Sequence, residues 1–94
     1  MKLNSSHGNQ HMNEKPAVRE LVQSLLRRKG DENDFSDSDS LIASGRLDSV
    51  DTIALLVFLE EQYGVDFAER GFDVDELDSI DSIVALVRVS QLSV

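Results

Sequence analysis

Residues 39–67 read DSLIASGRLDSVDTIALLVFLEEQYGVDF, and the fold turns on where in this stretch a helix begins. Before Leu47 no apolar residue recurs at helical spacing. After Asp48 one does: Thr52, Leu55, Leu59 and Tyr63 fall three or four apart and form one stripe, with Phe58 at its edge. Asp48 suits a helix start, because its carboxylate can accept from free N–H groups of the first turn while Asp51 reaches back from three residues on. A helix from Ser49 to about Tyr63 is therefore expected, stopped by Gly64.

The opening motif recurs. LDSVD at residues 47–51 returns as LDSID at residues 77–81, and Asp78 with Asp81 is expected to repeat the capping box. Ile80, Ile83, Val84 and Val87 then give a last helix one apolar face. Between the copies, FDVDELDSI leaves room for a short helical turn around residues 74–77. Upstream, Val18, Leu21, Val22, Leu25 and Leu26 form an amphipathic stripe, with Pro16 suited to its first turn. Arg27, Arg28 and Lys29 lie at the negative end of that helix dipole, and Gly30 can take the left-handed stop.

Residues 31–48 show no helical period and are long for a connection in a small domain. Phe35, Leu41, Ile42 and Leu47 are the apolar pins of this segment, and Gly45 permits a tight bend just before Arg46-Leu47-Asp48-Ser49. The expected fold is all-α, with three main helices, one short third helix and a long first loop. The main helices pack antiparallel or nearly so around Val18, Leu21, Leu25, Leu55, Leu59, Ile83 and Val87.

Composition agrees. Ninety-four residues make one small domain, and 5% aromatics with a single proline favour helices over a sandwich of short strands. The absence of cysteine excludes disulfide staples and cysteine metal sites, and points to a reducing, cytoplasmic setting. No apolar run reaches the roughly 18 residues of a membrane span. Residues 1–13 carry both histidines and no apolar period; they read as a disordered, vector-derived leader, which leaves residues 14–94 as the domain.

The formal charge of −9 is uneven. Residues 31–81 hold sixteen of the eighteen acids and only Arg46 and Arg70 as bases. Such a field repels nucleic acid and anionic lipid and attracts proteins with basic patches. A calcium site is excluded by Leu41 at the third ligand position after Asp37 and Asp39, with no glycine to hold the turn.

Ser49 and Ser79 are told apart by the residues downstream of each. Opposite the core stripe of the second helix, Val50, Ile53 and Val57 form another, flanked by Ala54, Glu60 and Glu61. A helix that needs one buried side seldom carries two apolar faces, so either this one is buried all round or it offers a strip to a partner. The last helix has one stripe, and Ser79 reads as structural.

Set between these flanks, Asp-Ser-Val resembles the centre of the acyl carrier proteins, and the resemblance covers about residues 16–89, including the long first loop, the Glu-Glu-x-aromatic end of helix two and the short acidic third helix. It implies the acyl-carrier-like four-helix bundle and a 4′-phosphopantetheine arm transferred from coenzyme A to Ser49 by a phosphopantetheinyl transferase, with Asp48 helping that enzyme orient metal and serine. It also implies docking of acyl-loading and acyl-processing enzymes, through basic patches, on Val50, Asp51, Ile53, Ala54, Val57, Glu60 and Glu61. The residues suit a carrier rather than an enzyme: no base stands near Ser49 and no Gly-x-Ser-x-Gly elbow is present. No metal site is expected, and a monomer suits a carrier that visits several enzymes.

Departures from the family pattern point away from general fatty-acid synthesis. Val50 replaces the usual leucine, Ala54 stands where many members carry an acid, and Phe58 is large enough to reshape the acyl cavity. SGRLDS also resembles discrete aminoacyl carriers, such as those for D-alanine or nonribosomal peptides. An unmodified helical adaptor is the alternative from another class.

Overall fold

The computed structural model describes residues 14–92; the expected leader, residues 1–13, lies outside them. All regular structure among the described residues is helical: α1 (Glu14–Arg28), α2 (Ser49–Tyr63), α3 (Phe67–Arg70), α4 (Val74–Leu77) and α5 (Ile80–Leu92). The three long helices lie where the apolar stripes put them. A second four-residue turn, α3, joins the expected short one; its start is marked by Asp66, whose carboxylate accepts from Glu69 N–H at 3.1 Å, a signal of the same Asp-x-x-Glu kind.

Helix α5 packs against α1, α2 and α4. Val18, Val22, Leu25 and Leu26 of α1 meet Leu55 and Leu59 of α2 and Ile83, Val84 and Val87 of α5, all buried. Leu21, expected within this core, lies half-buried at its edge. Gly64 ends α2 at φ 69°, a left-handed conformation that costs glycine little, and donates to Glu60 O.

The long loop is pinned at two kinds of point. Leu41 and Leu47 are fully buried and Phe35 nearly so, with the Arg19 guanidinium over the Phe35 ring at 4.5 Å. Polar ties complete the job. Arg46 bonds both carboxylate oxygens of Asp31, at 3.0 and 3.1 Å, and the carbonyls of Asn33 and Asp34; Asp37 is held by Lys15 at 3.0 Å and Arg19 at 2.7 Å. Eighteen residues without regular structure are thus ordered by side chains rather than by a ladder.

The second Leu-Asp-Ser copy departs from expectation. Asp78 does not cap α5. Ser79 does: its Oγ accepts from Ser82 N–H at 3.1 Å, while Ser79 N–H donates to Ser82 Oγ at 3.1 Å. The box has moved one residue on, because position 82 offers a hydroxyl that reaches back, whereas Thr52 in the first copy donates its hydroxyl to Asp48 O. Asp78 is thereby released to accept from Ile42 N–H at 2.7 Å and Ala43 N–H at 2.8 Å, and its own carbonyl accepts from Leu41 N–H. Three consecutive loop amides thus hang on one residue at the α4–α5 junction.

Partial burial pushes the Asp78 carboxyl up, but the hydrogen bonds from Ala43, Ser40, Ile42 and Leu41 outweigh it and hold the group below the ordinary aspartate range. A depressed folded-state value contributes stability that is present above about pH 4 and lost as pH falls through the folded value. Asp78→Ala is expected to lower unfolding stability by about 1–3 kcal/mol in urea titrations, since two loop amides lose their acceptor. Asp78→Asn, which keeps an acceptor oxygen, should cost less at neutral pH and flatten the acid limb; an unchanged limb contradicts this assignment. Leu59→Ala is expected to cost about 2–5 kcal/mol by the same measurement.

Candidate functional site

Ser49 is the first residue of α2 and is exposed. Its position is set by the reciprocal cap around it. Asp48 Oδ1 accepts from Asp51 N–H at 2.9 Å, and Asp51 Oδ2 accepts from Asp48 N–H at 3.0 Å. Immediately upstream, Leu47 is buried and its N–H donates to Leu41 O at 2.8 Å. Gly45, at φ 86°, makes the bend that brings the chain from the loop to the cap. Ser49 therefore sits on a fixed turn, with its hydroxyl bonded to no other described residue.

A cation from another helix completes the arrangement. Lys29, just beyond α1, donates from Nζ to Asp51 Oδ2 at 2.8 Å and to Arg46 O, and stands 3.8 Å from Asp48 Oδ2. Burial pushes the Asp51 carboxyl up, but the Lys29 ammonium and the Asp48 amide more than offset this and hold it below the usual range. The hydrogen bond to Asp51 raises Lys29 in turn. Sequence alone marks Lys29 only as one of three bases at the end of a helix; its reach to Asp51 is a product of how α1 meets α2.

The second stripe of α2 is exposed rather than buried all round. Val50 is 73% exposed, Ile53 59% and Val57 43%, and Glu60 and Glu61 are also outward. Ala54 is half-buried against the core. Asp51 departs from the expected docking face: it is buried, since a side chain that closes a cap must turn toward the backbone, and Lys29 holds it there.

Beside Ser49 runs a groove of about 580 Å³, lined by Ile42 from the loop, Ile53 and Leu56 from α2, Phe72 from the α3–α4 link and Val74 at the start of α4. Phe72 stands edge-on to Phe67 at 5.9 Å. Spacing does not place Phe72, because it and Gly71 fall in a connection with no apolar period. Phe58, expected to reshape an acyl cavity, does not line this groove; it packs edge-on against Tyr63 at 6.0 Å. The physical reason is helical phase, since Phe58 leaves α2 on a different side from Ser49, Ile53 and Leu56.

Asp37 and Asp39, the acids nearest to a calcium pattern, are engaged by Lys15, Arg19 and Ser36. Among the described residues no three ligating side chains form a group that could hold a metal ion. No described helix is long and apolar enough to cross a membrane.

Ser49 is thus an exposed serine at the start of a helix, on a turn fixed from both sides, with a groove beside it. The family model described as "Phosphopantetheine attachment site" matches residues 16–88, and the chain belongs to that family of carrier proteins. Its prosthetic group is 4′-phosphopantetheine, held covalently, and the chain is a carrier, not a catalyst. Over 52 residues it is 40% identical to a D-alanyl carrier protein of Lacticaseibacillus rhamnosus; the match takes in 55% of this chain and 64% of that protein. No solved structure matches the chain.

The residues present fit the arm. A phosphodiester on Ser49 would lie at the positive end of α2, where amides and the helix dipole favour an anion. The arm supplies the thiol that a chain without cysteine lacks. Asp51→Ala, which strips the Asp48 amide and Lys29 of their acceptor, is expected to lower unfolding stability by about 1–3 kcal/mol. Ser79→Ala removes only a cap on the far helix and should cost about 1 kcal/mol; both are read from denaturant midpoints.

Proposed function

We propose that Ser49 carries the 4′-phosphopantetheine arm and that the protein presents a small aminoacyl group, of the D-alanyl type, as a thioester on it. The observation that carries the attachment point is the exposed, unengaged Ser49 hydroxyl on a fixed turn inside the region matched by the family. No described histidine stands beside it, and the modifying transferase takes the proton. Ser49 Oγ forms the new bond to phosphorus, coenzyme A gives up 3′,5′-ADP as the leaving group, and the hydroxyl proton passes to the transferase.

Two features favour an aminoacyl cargo over general fatty-acyl traffic: the D-alanyl carrier relative, and the lack of an outward acid on α2 before Glu60. The second reading, a carrier of a specialised acyl group, is favoured by the apolar groove beside Ser49. In either case partners meet Val50, Ile53 and Val57 as an apolar strip close to the serine, with Glu60 and Glu61 at its far end for a basic residue. Asp48 helps the transferase orient metal and serine, beyond its role as cap. Tethering raises the effective concentration of the cargo at each partner's site without a new contact. The setting is cytoplasmic, where coenzyme A and the loading enzymes are at hand.

Intact mass after incubation with coenzyme A, magnesium and a broad-range phosphopantetheinyl transferase tests this. One arm should be added to the native chain and to Ser49→Ala none, while Ser79→Ala should be labelled as fully as the native chain. No mass gain on the native chain would leave the adaptor alternative standing. Offered a D-alanine-activating enzyme and a fatty-acyl-activating enzyme separately, the holo protein should gain the mass of an alanyl group; gain of a fatty acyl group alone would decide for the second reading.

A further inference from the structure

Among the described residues, Lys29 is the basic side chain that brackets Ser49 from both directions in the chain. It holds the carbonyl of Arg46, three residues before the serine, and the carboxylate of Asp51, two residues after it, and it stands 3.8 Å from the carboxylate of Asp48. Its place is unusual on electrostatic grounds, since the start of a helix carries positive partial charge and repels a cation. Two acids there make it acceptable. Their presence also creates a problem, because an anion attached to Ser49 meets the charges of Asp48 and Asp51 at short range.

We propose that Lys29 is a positioning residue for modification of Ser49: from the end of α1 it fixes the turn that presents the hydroxyl and cancels the charge of Asp51 before a phosphoryl group arrives. The proposal deepens the reading of Ser49 as the attachment point and rests on it. The remaining acid, Asp48, holds the cap with one oxygen and keeps the other, 3.8 Å from Lys29 Nζ, exposed to the transferase. Arg46, three residues before the serine, is spent on Asp31 and two carbonyls, and Arg27 and Arg28, beside Lys29 at the end of α1, form no ion pair with the cap. No described base but Lys29 contacts the cap, so a neutral side chain there leaves Asp51 partly buried beside Ser49 with no cation.

The test compares steady-state transfer from coenzyme A to the apo forms of the native chain, Lys29→Met, Lys29→Arg and Lys29→Met with Asp51→Asn, all well below their unfolding midpoints. Lys29→Met should lose about three- to tenfold in kcat/KM for the carrier, with the deficit relative to the native chain shrinking at high salt. Lys29→Arg should recover most of it. The double variant, which removes both charges and keeps an acceptor at position 51, should transfer faster than Lys29→Met alone, an outcome that loss of structure does not produce. Equal kcat/KM for the native chain and Lys29→Met overturns the proposal, as does a double variant no better than the single one. A native chain that takes no label overturns the attachment reading itself, a result distinct from a native chain and Lys29→Met that label equally.

Discussion

The reciprocal cap between Asp48 and Asp51 is the contact on which the functional end of the protein depends. It decides where α2 begins, and hence that Ser49 is the first helical residue and not the last residue of a loop. Because the cap uses backbone amides at both ends, its geometry is tighter than that of an exposed ion pair. Lys29 adds the link to α1, and buried Leu47 adds the link to the core. The hydroxyl is free because the polar groups that form the turn are already bonded to one another.

The same economy explains the surface of α2. Asp51 is spent on the cap and cannot greet a partner, so the part of the helix nearest the serine shows valine and isoleucine. A chain whose acids crowd residues 31–81 thus presents an apolar face beside Ser49.

The two Leu-Asp-Ser copies show how far local pattern reaches. Both mark the start of a helix, and both serines lie in capping turns. Their difference comes from distant partners. Ser79 with Ser82 takes over the cap, and the Asp78 carboxylate accepts instead from the Ile42 and Ala43 amides of a segment more than thirty residues away. No window of sequence around residue 78 contains that information. The turn at α3 and the place of Phe72 and Val74 are similar cases, since short helices held by one cap and one aromatic contact leave little period to read.

What the sequence by itself determined was the set of elements: three amphipathic stripes, the capping residues that start α2, the glycine that stops it, and the candidate serine between loop and helix. These are local, written in spacing and in the hydrogen-bonding reach of side chains two to four residues apart. Only the tertiary structure decided that Val50, Ile53 and Val57 stay exposed, that Asp51 turns inward to Lys29, that Asp78 holds the first loop, and that Phe58 faces away from the groove. Each of those depends on which helix packs against which, and helical period gives the angle of a side chain about its own axis but not the neighbour that will fill the space beyond it.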